Sequence, residues 1–220
     1  AIGYAPTKLQ VIPNGFDVEK LIATPAERNA LRAEAGFFSE HTVIGSIGRF
    51  NKDKDQRNFV QAAGLAAKKY PNLRFMMVGR ELSSENSQLM QWISETGLPE
   101  YFVLLGERSD IPSCLSAIDI FCLHSRTEGF PNVVGEAMAM GKPCVVTDVG
   151  DAAFLVEKTG IVVLKENPAA LAAGMEKLLS LRPLELCALG NSAQKRIYST
   201  FTMSHSRQKF EKLYQEITSY

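Results

Sequence analysis

Two glutamates stand in the stretch T-E-G-F-P-N-V-V-G-E-A-M-A-M-G-K-P, residues 127–143. Glu128 lies in a segment that is not expected to be helical, because the residue before a proline avoids the α region. Glu136 falls in the first turn of a predicted helix for which Asn132 is a natural N-cap. Both carboxylates can therefore face one cleft from different elements. Such a pair could serve as a catalytic acid and base, as a metal site, or as hydrogen-bond acceptors for a sugar-rich ligand.

The residue pattern leaves these chemistries open. A glycosidase needs one raised pKa and two carboxyl groups roughly 5–9.5 Å apart, a distance that no sequence contains. The structural alternatives are a helix-dipole partner for Glu136 and an exposed loop charge for Glu128. The N–H groups of residues 133–135 are expected at the same edge, where a helix N-terminus attracts an anion or a hydroxyl-rich ring.

Two cations occur in G-S-I-G-R-F-N-K-D-K-D-Q, residues 45–56. A predicted strand ends at Gly48, and Arg49 and Lys54 flank a polar loop that enters a helix near Asp55. Glycine lets the backbone approach a ligand closely, and arginine offers a planar fork to phosphate oxygens. The pattern indicates a diphosphate cradle, although neither the G-x-G-x-x-G fingerprint nor a P-loop is present. The alternative is a pair of solvated loop cations.

Three further positions carry weaker signals. Gly79 ends a predicted strand, where it could simply form a turn. The loop after Gly106, followed by a short helix capped by Asp110, could receive a flat base through its backbone, or could be a plain strand-to-helix loop. His124 ends a strand beside the Glu128 loop, and a lone histidine there is more often a hydrogen-bonded packing residue than a base.

The elements that would position these residues alternate between strands and helices. Near-continuous apolar runs are typical of parallel strands that are covered on both faces, and their alternation with helices predicts an α/β, doubly wound parallel sheet. In such sheets ligands bind at the carboxyl ends of the strands, where the polar motifs fall. The predicted strands are residues 42–48, 73–79, 101–106, 119–125, 143–148 and 160–164, preceded by a short strand at 8–13.

Helices are predicted between the strands and after residue 165, where the pattern becomes wholly helical. Gly97 and Gly141 follow their helices as C′ residues. Residues 23–36 form a stretch rich in proline and alanine. The predicted helices are residues 56–70, 83–97, 110–118, 132–141, 167–181, 183–201 and 204–220.

Composition narrows the function classes. Lys plus Arg and Asp plus Glu both total 24, so no bulk basic field indicates nucleic acid as a partner. The spacing of the cysteines and histidines does not predict a zinc site. Cys122 and Cys144 lie in apolar runs, which predicts buried thiols and a reducing, cytoplasmic compartment. No apolar run approaches the roughly 20 residues of a membrane-spanning helix. The chain begins without methionine, and we expect it to be part of a longer protein.

Several motifs in a fixed order carry a family resemblance. They are V-I-P-N-G-F-D (11–17), G-R-F-N-K-D-K (48–54), M-V-G-R-E (77–81), L-G-E-R-S-D-I-P (105–112) and E-G-F-P-N-V-V-G-E through T-D-V-G (128–150). This order of motifs, together with the E-x7-E spacing of Glu128 and Glu136, resembles the sequence pattern of the retaining glycosyltransferases of the GT-B fold, in particular glycosyltransferase family 4. In that family two Rossmann-like domains face each other across a cleft, and the second domain binds the nucleotide-sugar donor.

The resemblance implies a domain organisation. Residues 1–41 would be an interdomain segment that follows a missing N-terminal acceptor domain. Residues 42–200 would be the donor-binding domain, a Rossmann-like doubly wound sheet that forms one half of the GT-B fold with closing C-terminal helices. Residues 201–220 would form a helix that crosses back to the first domain. Because half of the cleft is missing, we expect these 220 residues to be inactive alone.

The resemblance also implies residue roles. Arg49 and Lys54 would hold the donor diphosphate, Glu136 would accept hydrogen bonds from the ribose, and Glu128 would contact the donor sugar. Asp55 departs from the glycine of many members, and Gly79 lacks the second glycine of a V-G-x-G turn. The implied donor site comprises Gly48, Arg49, Lys54, Gly79, Arg108, Glu128, Gly129, Phe130, Pro131, Val133, Val134 and Glu136, with Arg49, Lys54 and Glu128 in catalytic roles.

The implied activity is transfer of a sugar, with retention of configuration, from a nucleotide-diphosphate sugar. UDP is preferred over GDP, with an N-acetylhexosamine as an example of the sugar. The acceptor would be a glycan or a lipid-linked sugar in surface polysaccharide or O-antigen synthesis, reached through the N-terminal domain in contact with the cytoplasmic face of the inner membrane. No metal or other cofactor is expected. The alternatives are a nucleotide-sugar epimerase of the same architecture, which would release free epimerised sugar nucleotide without an acceptor, and a non-catalytic nucleotide-binding module.

Overall fold

A computed structural model describes residues 3, 5 and 9–218 of the chain. Six strands of this part form one parallel sheet in the order β3-β2-β1-β4-β5-β6. This order confirms the predicted α/β, doubly wound parallel sheet. The strands are β1 (Thr42–Ile47), β2 (Leu73–Val78), β3 (Phe102–Leu104), β4 (Ile120–Leu123), β5 (Cys144–Thr147) and β6 (Gly160–Val163).

Helices pack on both faces of the sheet. Neighbouring residues of β1 belong to different cores, because Val43 packs in one apolar cluster and Ile44 in the other. Both residues are fully buried, which explains why the central strands read as continuous apolar runs. The helices are α1 (Pro25–Glu34), α2 (Gln56–Ala67), α3 (Ser87–Glu95), α4 (Ile111–Ala117), α5 (Asn132–Ala139), α6 (Ala152–Val156), α7 (Pro168–Leu179), α8 (Pro183–Thr200) and α9 (Met203–Thr218).

The predicted elements are largely confirmed. Each of the six main strands lies within its predicted range, and Gly97 and Gly141 follow α3 and α5 with φ of 72° and 69°, as C′ residues do. The strand predicted at residues 8–13 is wrong over its described part, since residues 9–13 form none, and Lys8 lies outside the described residues.

Two predicted caps are also wrong. Asn132 is the first residue of α5 rather than its N-cap, a position that Pro131 takes. Asp110 stands at the N-cap of α4, but its side chain makes no capping hydrogen bond. Its carboxylate is bound by Arg108 instead.

Helix α1 was not predicted. Thr24 and Glu27 form a capping box at its start, and the T-P-A-E sequence is a signal for it. The helix docks through arginines, because Arg28 lies 2.8 Å and Arg32 3.3 Å from carboxylate oxygens of Asp119. The assignment of residues 1–41 to an interdomain segment stays a prediction, as do the boundaries at residues 42 and 201.

The segment before α1 is joined to the junction between α8 and α9. The Phe16 N–H donates to the Phe201 carbonyl at 2.7 Å, and the Met203 N–H donates to the Phe16 carbonyl at 2.9 Å. The Phe16 ring covers Gly135, where a Cβ atom would lie 1.9 Å from the ring. Because Gly135 belongs to α5, this contact fixes the helix that carries Glu136.

The cysteines and the helices bear on two further expectations. Cys122 and Cys144 are buried free thiols, which confirms the prediction that both thiols are buried. In the described part of the chain, no helix combines the length and apolarity that crossing a membrane requires.

Candidate functional site

The loops that follow β1 and β4 meet at one edge of the sheet. These two strands are hydrogen-bonded neighbours, although β2 and β3 lie between them in sequence. A crevice of about 340 Å³ opens between the two loops, at the switch point where doubly wound sheets bind ligands. Its lining consists of Ile47, Gly48, Lys54, Ile111, Glu128, Phe130, Pro131, Asn132, Val133 and Glu136.

An ion pair crosses this crevice. Lys54 Nζ lies 2.6 Å from Glu128 Oε1, with the two side chains 27% and 12% exposed. The Ser125 hydroxyl donates to the same oxygen at 2.6 Å, and the Thr147 hydroxyl donates to the Ser125 carbonyl at 2.8 Å. Oε1 of Glu128 is thus occupied by two donors, whereas Oε2 has no hydrogen-bond partner among the described residues.

His124 supports the Lys54 loop from below. Its Nδ1 is hydrogen-bonded to the Lys54 carbonyl, so Nδ1 carries the proton and Nε2 accepts from the Ser46 hydroxyl. Burial lowers the pKa of His124 to about 4, because desolvation disfavours the imidazolium. The prediction that His124 is a hydrogen-bonded packing residue is confirmed.

Glu136 is the second carboxylate of the crevice. Its side chain makes no hydrogen bond or ion pair with any described residue, and burial raises its pKa above the usual range. Glu136 also lines an adjacent cavity of about 730 Å³, together with Asn14 and Asn132. An unpaired, half-buried carboxylate between two cavities is suited to accept hydrogen bonds from hydroxyl groups of a ligand.

The start of α5 brings backbone groups to the crevice. Val133 lines it, whereas the Val134 side chain is buried. The Val134 N–H donates to the Pro131 carbonyl at 3.0 Å, so this amide is already engaged. The amide of Val133 has no such partner in the described part of the chain.

Two predicted arginines lie outside the lining. The Arg49 side chain is exposed and has no carboxylate partner among the described residues, while its carbonyl accepts from Gln56 at 2.9 Å. Arg108 is clasped by Asp110, with both hydrogen bonds at 2.8 Å, and by Glu34 at 2.7 Å. These carboxylates raise the pKa of Arg108. The base contact was predicted for the backbone near Arg108, and it stays a prediction.

Two glycines hold the loops close together. Gly79 has φ 146°, and a Cβ there would lie 2.3 Å from the Gly48 carbonyl oxygen. Gly79 therefore lies behind Gly48 and supports it. Gly150 has φ 50°, and its Cβ would lie 2.2 Å from the Gly129 carbonyl oxygen. The next residue, Asp151, donates its N–H to that oxygen at 2.8 Å.

Several residues of this site were not predicted. Ile47, Ile111 and Asn132 line the crevice. Ser125 binds Glu128, and Thr147 binds the Ser125 carbonyl. The last two are polar residues at the carboxyl ends of buried strands, which is a signal that could have identified them. The individual roles of the predicted site residues stay predictions. Among the described residues, no group of three or more His, Cys, Asp or Glu side chains is arranged to hold a metal ion.

Comparison with known proteins gives consistent matches. The glycosyl transferases group 1 family matches residues 41–181. The Escherichia coli UDP-Gal:alpha-D-GlcNAc-diphosphoundecaprenol alpha-1,3-galactosyltransferase is 31% identical over 154 residues, which are 69% of this chain and 40% of that protein. The lipopolysaccharide core biosynthesis mannosyltransferase LpsB of Rhizobium meliloti is 25% identical over 214 residues, 94% of this chain and 60% of that protein.

A solved structure is also similar. Anabaena HepE in complex with UDP superposes with a TM-score of 0.86 at 27% identity, over 94% of this chain and 57% of that one. The chain thus spans between 40% and 60% of the length of these relatives.

The contact at Gly150 predicts a specific sensitivity. Gly150→Ala adds a methyl group against the Gly129 carbonyl and strains a positive φ, so we expect it to lower the free energy of unfolding by about 2–3 kcal/mol. Gly97→Ala is the matched control, because it has φ 72° and no atom within 4 Å of its Cβ position. It should cost about 1 kcal/mol. Urea unfolding measures both, and equal losses would contradict the role of the contact.

Burial of His124 predicts an acid-sensitive step in stability. Its folded pKa of about 4 lies below the usual 6.5, so the unfolded chain binds the proton first as the pH falls. The stability that the neutral ring contributes is complete above pH 6.5 and is lost toward pH 4. Between pH 7 and 4.5, the free energy of unfolding should fall by about 2 kcal/mol more in the wild type than in His124→Asn. Identical pH dependence of the two proteins in urea unfolding would contradict this assignment.

Proposed function

The chain belongs to the glycosyl transferases group 1 as a GT-B glycosyltransferase domain, and we propose that it binds the nucleotide-diphosphate sugar donor of a retaining enzyme. The observation that carries this proposal is the Lys54–Glu128 pair in one crevice with the start of α5, at the switch point of the sheet. A cation and a helix N-terminus favour a phosphorylated ligand, and the carboxylates favour a hydroxyl-rich one.

Lys54 is proposed to hold the donor diphosphate. An ammonium group has three donors, and Glu128 uses one of them. The other two remain for phosphate oxygens. Arg49 lies nearby along the chain, and Val133 lines the same crevice. As the glycosidic bond breaks, negative charge grows on the departing diphosphate, and fixed donors that stabilise this charge lower the barrier. This proposal assigns no metal or cofactor to the site.

The two glutamates are proposed to hold hydroxyl groups. Oε2 of Glu128 is available for the donor sugar, together with the backbone of Gly129, Phe130 and Pro131. Glu136 would accept hydrogen bonds from the ribose, which would satisfy a carboxylate that has no partner in the described chain. Neither glutamate is then a hydrolytic acid or base.

The acceptor and the pathway are proposed from the relatives. The name of the E. coli relative gives a UDP-sugar donor and a lipid-diphosphate-linked sugar acceptor, and LpsB acts in lipopolysaccharide core synthesis. HepE was crystallised with UDP. We therefore favour UDP as the nucleotide and a glycan or lipid-linked sugar of the cell surface as the acceptor. The acceptor would bind outside the 220 residues, in the remainder of the cleft.

The unpaired carboxylate of Glu136 predicts opposite effects on stability and on binding. Glu136→Gln removes a desolvated charge without changing shape, so the melting temperature of the ligand-free chain at pH 7 should rise. Loss of the charged acceptor should weaken UDP binding by about tenfold or more. Calorimetric titration and thermal melting measure the two effects. Glu185→Gln is the control, because Glu185 lies at an exposed helix start, and it should leave UDP affinity unchanged. Unaltered UDP binding by Glu136→Gln would refute the ribose contact.

Substitution of Lys54 predicts a loss that is specific for phosphate. Lys54→Gln should weaken binding of UDP by about tenfold and leave binding of uridine unchanged, because uridine lacks the diphosphate with which the Lys54 ammonium group would interact. In the full-length enzyme its main effect should be a lower kcat for sugar transfer.

Release of free epimerised sugar nucleotide without an acceptor would instead favour an epimerase, and UDP binding without any turnover would favour a binding module.

A further inference from the structure

Three consecutive residues of the β1–α2 loop are each held by the loop after β4. The Asp53 carbonyl accepts the Arg126 N–H at 2.7 Å, and the Lys54 carbonyl binds His124 Nδ1. The Asp55 carboxylate meets the Arg126 guanidinium, with Nη2–Oδ1 at 3.1 Å and Nε–Oδ2 at 3.0 Å. The cation Lys54 therefore lies in the middle of a short stretch of chain that is joined on both sides to the loop of Glu128.

The left-handed backbone conformation of Asp55 is unfavourable, and its side chain pairs with Arg126. Its φ of 51° and ψ of 52° are left-handed, a region that glycine enters freely and other residues rarely do. It is the N-cap of α2, yet its side chain makes no capping hydrogen bond. The carboxylate is instead directed to Arg126 and is only 4% exposed. If Asp55 only formed the turn or capped the helix, its carboxylate would not need to be buried against Arg126.

Arg126 is fixed from a third side as well. Its carbonyl accepts from Lys165 Nζ at 3.1 Å, and Glu166 Oε1 lies 3.5 Å from its Nε. No acceptor lies in line with the Nε–H, so the Nε contacts are ionic, and the aligned hydrogen bond to Asp55 comes from Nη2. The Arg126 side chain is 36% exposed, and its guanidinium is held by carboxylates on two different loops.

We propose that Arg126 and Asp55 are positioning residues that clamp the Lys54 loop to the Glu128 loop before the donor binds. The proposal rests on the proposed donor site, because the clamp acts through Lys54 on the diphosphate. Neither residue lines the crevice in which the donor is proposed to bind. Their effect is to remove the freedom that Lys54 would otherwise lose on binding, which is how preorganisation raises affinity.

The decisive variant is Asp55→Gly. Glycine adopts the left-handed conformation without strain, so the fold should keep a melting temperature close to that of the wild type. The ion pair with Arg126 is lost, while the main-chain contacts of Asp53 and Lys54 remain. UDP affinity should fall about tenfold, and uridine affinity should stay within about twofold, because only the diphosphate meets Lys54. Arg126→Ala should lower the UDP affinity similarly, and the double variant should add little to either loss.

A matched control exists at the opposite edge of the sheet. Glu157 also has a positive φ of 47° and is also paired with an arginine, Arg196, at 2.5 Å. It lies just before β6, at the amino end of the strands. Glu157→Gly makes the same change and should leave both affinities unaltered. Provided that the wild type binds UDP, equal losses of UDP and uridine affinity in Asp55→Gly, or no loss of either, would overturn the clamp.

Amide hydrogen exchange of the ligand-free chain tests the clamp without the donor. Residues 49–56 should exchange several-fold faster in Asp55→Gly than in the wild type, since a local opening equilibrium governs exchange. Unchanged exchange would overturn the proposal, whatever the nucleotide data show. If exchange is faster in Asp55→Gly but the wild type binds no UDP, GDP or ADP, the clamp is retained and the proposed donor site is contradicted.

Discussion

The Lys54–Glu128 ion pair exists because β1 and β4 are neighbours. Its two residues are 74 positions apart in the chain. Their loops come into contact because the chain returns from β3 to the centre of the sheet and places β4 beside β1. Parallel strands leave from the same edge, so whatever follows β1 faces whatever follows β4. The crevice, the start of α5 and the contacts around Asp55 all follow from this one adjacency.

Three local features of the site oppose stability. Asp55 holds a left-handed conformation, Glu136 keeps a carboxylate partly buried without a partner, and Gly150 allows two loops to approach more closely than any side chain would permit. Positive φ also occurs at Glu81, Glu157 and Glu166, outside the crevice lining. Such features at a binding edge are expected where function, rather than folding, selects the residues. The cores on both faces of the sheet supply the stability that tolerates them.

Much of this arrangement could be predicted from the sequence. The six strands were identifiable because burial on both faces leaves continuous apolar runs, and the proximity of Lys54 to Glu128 followed from the rule that strand ends share an edge. Side-chain partners were harder to predict. The side-chain partners of Arg108 were not predicted, since carboxylates from its own loop and from α1 occupy its guanidinium. Helix α1 was missed because an exposed helix has a weak apolar pattern. The closeness of Gly79 to Gly48 depends on strand register, which local sequence does not encode. The capping box at Thr24 was readable, however, and a search for it would have located α1.

The ion pair is compatible with the role proposed for it. Two charges that neutralise each other in the ligand-free protein could seem a poor receptor for an anion. Yet Glu128 occupies one of the three donors of Lys54 through a single oxygen, which it shares with the Ser125 hydroxyl. A diphosphate can therefore bind the remaining donors without breaking the pair, and Glu128 keeps its second oxygen for a hydroxyl group. In this way the pair would set the distance between the proposed phosphate-binding and sugar-binding groups before the ligand arrives. A ligand that carries both groups at that separation gains from both contacts, whereas free phosphate or a free sugar gains from only one of them.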